Sequence, residues 1–182
     1  MTLLWRLIRA FAAFLLVAII VLVAEGHRKD AGVVRLTADI DTTPELLWPW
    51  LDEGAPAKKW VEGLVEVRSD PAVPGPVGKT EVWVMQENGQ KIEVSGTCTE
   101  YLRPSRLSAH LSVPGTFDGD QTYQLTDLGG GRTRLEVIGT FHYSGWLARL
   151  LEPFITHQAK NKLDADISRL ARTVKAQSTS GR

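Results

Sequence analysis

Cysteine is almost missing. Cys98 is the single one in 182 residues, so neither an internal disulfide framework nor a cysteine-rich metal site can form. Net charge is missing as well. Lys plus Arg and Asp plus Glu both number 21, which excludes the chain-wide basic surface that nucleic acid requires. The histidines, His27, His110, His142 and His157, form no HExxH or other closely spaced set, so no metal site is expected. No Gly-x-Ser-x-Gly elbow occurs, and the glycine run Gly129-Gly130-Gly131 lacks the Lys-Ser/Thr of a phosphate loop; it reads as a hairpin turn. Internal repeats are lacking, and nothing points to a cofactor. What is present is an ordinary globular composition, 43% hydrophobic and 23% charged, in a length that suits one domain with a small appendage.

The appendage is the N-terminus. Residues 1–24 hold Arg6 and Arg9 and no acidic side chain. Ala10 to Ala24 is a run of 15 residues without a charge, which leaves no polar face for a soluble helix. Two readings remain. A secretory signal would be cut near Ala24-Glu25-Gly26, where Glu25 is an awkward middle residue. A retained anchor would use Leu3 to Ala24, 22 residues, roughly 33 Å as a helix. Trp5 suits the interface, and Arg6 and Arg9 can snorkel to headgroups. The length favours an anchor and hence a single-pass membrane protein. Basic residues flank the run on both sides; the order basic-then-apolar favours placing the domain on the extracytoplasmic side. The expected division is an anchor over 1–24, a polar linker over 25–32, a folded domain over 33–175 and a frayed tail over 176–182.

After the linker the periodicity changes to two. Val34, Leu36, Ala38 and Ile40 alternate with polar residues, as in a half-buried strand. Thr43-Pro44-Glu45 is a helix start, with Thr43 as the expected cap and Pro49 expected to kink or shorten the helix. A second short helix is expected over 56–62, carrying Trp60. From Leu64 to Tyr143 the chain is strand-like, punctuated by Asn88-Gly89, Arg103-Pro104-Ser105, Pro114-Gly115 and the triple glycine. Gly96 and Gly139 lie mid-strand, where bulges or bends are expected. Beyond Ser144, the stripe Leu147, Leu150, Leu151, Phe154, Ile155, Leu163, Ile167, Leu170 and Val174 predicts a short helix, a break at Pro153 and a long helix. A one-sided antiparallel sheet needs a cover, and this helix is the long amphipathic element left to supply it.

The order of these signals resembles the START-like helix-grip superfamily, also called SRPBCC, in its polyketide cyclase/dehydrase and lipid-transport branch. The matching residues are Thr43-Pro44-Glu45 with Trp48; Trp60; Pro76-Val77-Gly78; Ser95-Gly96-Thr97 with Glu100; Pro104-Ser105-Arg106-Leu107; Tyr123 and Leu125; Gly130-Gly131-Arg132-Thr133-Arg134-Leu135; and the leucine-rich stretch around Pro153. They span about Val33 to Val174. The resemblance implies an α+β helix-grip fold, a curved antiparallel sheet of six to seven strands around a long C-terminal helix, here with an added N-terminal transmembrane helix. It also implies a cavity for lipids, sterols, quinones or polyketides, and in some members cyclisation or dehydration.

By alternation the inward set includes Val82, Val84, Ile92, Val94, Cys98, Leu107, Ala109, Leu111, Tyr123, Leu125, Leu135, Val137, Phe141 and Tyr143. Leu147, Leu151, Phe154 and Gln158 are added from the C-terminal helices. The ligand-lining candidates are Val82, Val84, Val94, Leu111, Tyr123, Leu125, Val137, Phe141, Tyr143, Leu151, Phe154 and Gln158. Packed core is the competing reading for the apolar members. A buried tyrosine or glutamine needs a polar partner, which a ligand or a neighbouring backbone group would supply. His110, His142, Glu81 and Glu100 are expected on the outer face, and Cys98 as a neutral thiol. The expected partners are therefore a hydrophobic small molecule or lipid and the bilayer, with no nucleic acid. The alternatives are a cyclase or dehydratase acting on an apolar substrate, and a non-catalytic interaction module.

Overall fold

The computed structural model describes residues 19–21, 32–69, 73, 75–87 and 89–180. Seven strands form a single antiparallel sheet: β1 (Val33–Ile40), β2 (Leu64–Ser69), β3 (Thr80–Glu87), β4 (Gln90–Leu102), β5 (Arg106–Val113), β6 (Phe117–Gly129) and β7 (Arg132–Tyr143). Their order is β1-β7-β6-β5-β4-β3-β2. Strands β2 to β7 make a meander, and β1 returns to pair with β7. Among the described residues from Gly32 onward the helices are α1 (Pro44–Asp52), α2 (Gly54–Ala57), α3 (Trp146–Leu150) and α4 (Glu152–Ser180). Among the described residues no helix is long and apolar enough to cross a membrane. The expected anchor, Leu3 to Ala24, lies outside the described residues apart from Ile19 to Val21, as does the linker apart from Gly32.

Local chemistry explains the helix boundaries with some corrections. Pro44 opens α1 and Glu45 sits in its first turn, matching the missing proline donor and the helix dipole. Thr43 occupies the cap position but its side chain makes no capping bond. Pro49 is accommodated inside a helix that ends three residues later. The second helix is earlier and shorter than expected; Trp60 follows it in a turn, and its indole donates to Trp50 O at 2.8 Å. Leu151 separates α3 from α4, and Pro153 then falls in the first turn of α4, where proline is tolerated. The long helix continues to Ser180, through most of the segment expected to fray.

The core lies where the second half of α4 meets one end of the concave sheet face. Ile167, Leu170 and Val174 pack with Ile40, Leu125, Leu135 and Val137, and with Leu47, Trp48 and Leu51 of α1. Each such side chain contributes about 1.5–3 kcal/mol by leaving water. Trp48 also stacks edge-on against Tyr101 at 5.3 Å.

A polar clasp fixes the helix on its other side. Asp166 Oδ1 accepts from the Glu62 backbone N–H at 3.0 Å and from Arg169 Nη1 at 2.8 Å. Arg169 also donates to Trp60 O at 2.8 Å and to Glu62 Oε2 at 3.0 Å, and Lys162 donates to Glu62 O at 3.0 Å. The basic side of α4 is therefore divided: Lys160 and Arg172 are solvated, whereas Lys162 and Arg169 hold the α2–β2 connection.

Burial raises the Asp166 carboxyl above the ordinary aspartate range, despite the opposing bonds from Glu62 and the nearby Lys162 and Arg169. Its native pKa exceeds its unfolded one, so the folded state binds more protons in that window and stability falls as pH rises through it. Asp166→Ala should cost about 2 kcal/mol, because the Glu62 N–H and Arg169 lose a buried acceptor. Asp166→Asn should keep most of the stability but lose that pH slope. Urea unfolding followed by circular dichroism between pH 4 and 7, roughly the range above a free aspartate, checks both.

Candidate functional site

Cross-strand register assigns each side chain to a face, because directly opposed residues point the same way. One row runs Gly96, Leu111, Gly119, Phe141, and the next runs Cys98, Ala109, Gln121, Gly139. A third runs Tyr101, Leu107, Tyr123, Val137, Leu36. Tyr101, Leu107, Tyr123, Val137 and Leu36 all belong to the core under the helices, so all three rows are concave.

These rows divide into two zones. Leu125 and Val137 are fully buried under α4 and are packed core. Val94, Leu111, Phe141 and Tyr143 lie towards the opposite end of the concave face and remain partly exposed. Tyr123 stands at the border. Leu151 and Phe154 are exposed at the α3–α4 junction, and Gln158 is exposed one turn later. Ser144 to Ala148, Leu151 and Ile155 line an open concavity of about 450 Å³ at the α3–α4 junction, with no residue of the sheet among them. The candidate groove is the partly exposed part of the concave sheet face.

The register corrects two of the lining candidates. Trp83 pairs with Val94, and Glu81 pairs with Gly96. Glu81 and Trp83 are therefore concave, while Val82 and Val84 face the opposite, convex side. Val84 is nevertheless only 3% exposed. It lies between Glu66 and Glu93 in the register, and Arg68 is ion-paired with both carboxylates. A buried apolar residue on the convex face reads in sequence like one facing the core. By contrast Glu100, His110 and His142 are convex: Glu100 bonds Ser108 and Arg106, and His110 Nδ1 meets Asp120 Oδ1 at 2.9 Å.

The mid-strand glycines make room rather than bulges. Pairing continues through Gly96 and Gly139; the shifts fall at Leu64/Glu66, Cys98/Glu100 and Asp127/Gly129. A Cβ on Gly139 would fall 2.5 Å from the Phe141 ring, and one on Gly96 would fall 3.1 Å from Leu111. The aromatic ring and the leucine therefore lie down along the floor, over residues that have no side chain.

Polar groups mark the groove floor sparsely. Glu81 accepts from Ser69 Oγ at 2.8 Å and Trp83 Nε1 at 3.4 Å, and pairs with Lys79 at 3.1 Å. Burial opposes its ionisation, but these three donors together outweigh burial and hold it below the ordinary glutamate range. It is a carboxylate, unsuited to donating a proton at neutral pH. Gln121 Nε2 donates to Tyr123 Oη, whose phenol is pushed far up by burial. Tyr101 donates to Asp52 at 2.7 Å and accepts from Trp48 at 3.2 Å. Tyr143 lies beside Thr156, whose buried Oγ1 makes no hydrogen bond of good geometry. Sequence alone placed neither Glu81, Trp83 nor Gln121 on this floor. The Trp83–Val94 pairing is the signal that does so, and it emerges only once β3 and β4 are in register.

Burial, with Asp52 and Glu81 nearby, raises the Cys98 thiol. Being the lone cysteine, it reports on the groove. Its alkylation by iodoacetamide at pH 8 should run at least about tenfold slower than that of free cysteine, whose unperturbed pKa is about 8.5. An apolar ligand should slow it further. A rate equal to that of free cysteine would contradict this placement.

Comparison with known proteins agrees with this architecture. No curated protein matches the chain. Among solved structures, a Nitrosomonas europaea protein superposes with a TM-score of 0.66 at 18% identity, covering 84% of this chain and 99% of that one. A Thermus thermophilus protein gives a TM-score of 0.67 at 17% identity over 80% and 99% of the two chains. The Zhui aromatase/cyclase from Streptomyces gives 0.66 at 11% identity over 79% and 93%. These identities speak for the shared fold. The family model described as polyketide cyclase / dehydrase and lipid transport matches residues 31–175. That match spans the whole sheet and most of the gripping helix, and the chain therefore belongs to this family.

Proposed function

We propose that the protein binds and carries a hydrophobic, lipid-like small molecule in the groove between the sheet and the start of α4, and that the apolar stretch from Leu3 to Ala24 tethers it to a membrane. The observation carrying this reading is the uncovered half of the concave face. Trp83, Val94, Leu111 and Phe141 present apolar surface there that α4 leaves partly exposed. Water against such a surface is unfavourable, and an apolar ligand removes it at roughly 25 cal/mol per Å². Glu81, Gln121 and Tyr143 give this surface a few polar points that can orient a ligand headgroup.

The electrostatics favour carriage over cyclisation or dehydration. A general acid in an apolar groove needs a raised carboxyl pKa. Among the described residues the raised carboxyl is Asp166, which is held in the clasp with Glu62 and Arg169, whereas Glu81 on the floor is lowered. Tethering adds a kinetic argument, since a carrier held at the bilayer meets membrane-dissolved ligand at high effective concentration.

Solvent extraction of purified residues 30–182 followed by mass spectrometry should return an apolar molecule. A bulky plug on the floor, Ala109→Trp, should empty the protein without altering its circular dichroism. With a dansyl-labelled fatty acid as probe, Trp83→Ala should weaken binding about tenfold, corresponding to about 1.4 kcal/mol. Val82→Ala, on the other face, should leave it unchanged. Equal effects of the two substitutions, or no binding by the wild type, would refute the reading.

A further inference from the structure

The α3–α4 junction is the most exposed apolar surface of the domain. Trp146 is 78% exposed, Phe154 58%, Leu147 52% and Leu151 36%. Four large apolar side chains within nine consecutive residues are more than scattered surface residues, and a contiguous patch of this kind marks an interaction site. Three of them, Trp146, Leu147 and Leu151, line the open concavity of about 450 Å³.

The position of the tether identifies the occupant. Gly32, where the described domain begins, accepts a backbone hydrogen bond from Phe141 at 2.9 Å. A Cβ on Gly32 would fall 2.5 Å from Glu152 Oε1, in the first turn of α4. The chain therefore enters the domain against the junction that carries the patch. Only Glu25 to Ala31 separate Gly32 from the apolar run. Seven residues span at most about 25 Å, so a tethered domain has to keep this face close to the headgroups.

The charge pattern agrees. From Ser144 to Gln158 the charged residues are Arg149 and Glu152, which balance. The patch has neither the basic cluster that an anionic surface calls for nor the single-sign field that an oppositely charged protein partner would complement. A tryptophan next to leucines and a phenylalanine suits the boundary between headgroups and acyl chains.

We propose that α3 and the first turn of α4 dock on the membrane that holds the N-terminal run, inserting Trp146, Leu147, Leu151 and Phe154 and opening the groove directly to the bilayer. This inference rests on the tether assigned under the proposed function. It goes further in naming the surface that meets the lipid and the route by which a ligand enters. Docking by apolar insertion with balanced charge is insensitive to lipid charge and to salt.

The test uses the purified full chain reconstituted with phosphatidylcholine vesicles, in which dibrominated phosphatidylcholine quenches tryptophans that reach the acyl chains. Brominated lipid should remove more emission from the wild type than from Trp146→Phe, the difference being the contribution of one of six tryptophans. It should be the same with phosphatidylglycerol present and at high salt. Flotation of the same samples reports the tether separately. If the chain floats but wild type and Trp146→Phe are quenched equally, docking is refuted and the tether stands. If it does not float, both are refuted. If quenching is equal and sedimentation finds a dimer that Trp146→Ser with Phe154→Ser converts to monomer, the patch pairs with a second copy and the membrane proposal is overturned.

Discussion

The grip of α4 on the sheet is partial, and most of what distinguishes this domain depends on that. A straight helix of 29 residues cannot follow a seven-stranded curved sheet over its full width. It seats its second half, through Ile167, Leu170 and Val174, against β1, β6 and β7. The clasp of Asp166 and Arg169 with Glu62 and Trp60 then holds it from the other side. The apolar side chains on the far part of the floor keep their contact with solvent, while those under the helix lose it.

The concave face is thus divided. Leu125, Leu135 and Val137 stabilise the fold, whereas Val94, Leu111 and Phe141, a few residues along the same or neighbouring strands, stay available. The small residues Gly96, Ala109, Gly119 and Gly139 keep the floor low between them. Leu111 and Phe141 lie over two of these glycines. The fixed charges are kept in pairs: Glu81 with Lys79, Asp166 with Arg169, Asp39 with Arg134.

Much of this architecture was legible in sequence because alternation and turn residues agree strand by strand. β1, β5, β6 and β7 each have one apolar and one polar set, and the long helix has a single stripe. β3 was not legible, because both of its alternating sets contain apolar residues: Val82 and Val84 on one, Trp83 and Met85 on the other. Pairing with Val94 and Ile92 decides between them, and the burial of Val84 on the convex face is visible only in three dimensions. The clasp was hidden for a similar reason: Asp166 and Glu62 are more than a hundred positions apart, and charges on a helix read as a solvated face until a partner is known. At Gly96 and Gly139 the sequence suggests bulges or bends; the register continues through both, and the neighbour lying over each glycine is not visible in sequence. The apolar N-terminal run is plain in sequence and falls outside the described residues apart from Ile19 to Val21.

The most direct test of the central claim is a methyl and indole NMR titration of residues 30–182 with a fatty acid. If the uncovered half of the concave face is the binding surface, the Trp83 indole and the Val94 and Leu111 methyls shift together and saturate. The Val82 and Val84 methyls behind the sheet and the Leu135 methyls under the helix should stay in place. Shifts confined to Val82 and Val84, or no saturable shift on the concave face, would contradict the account.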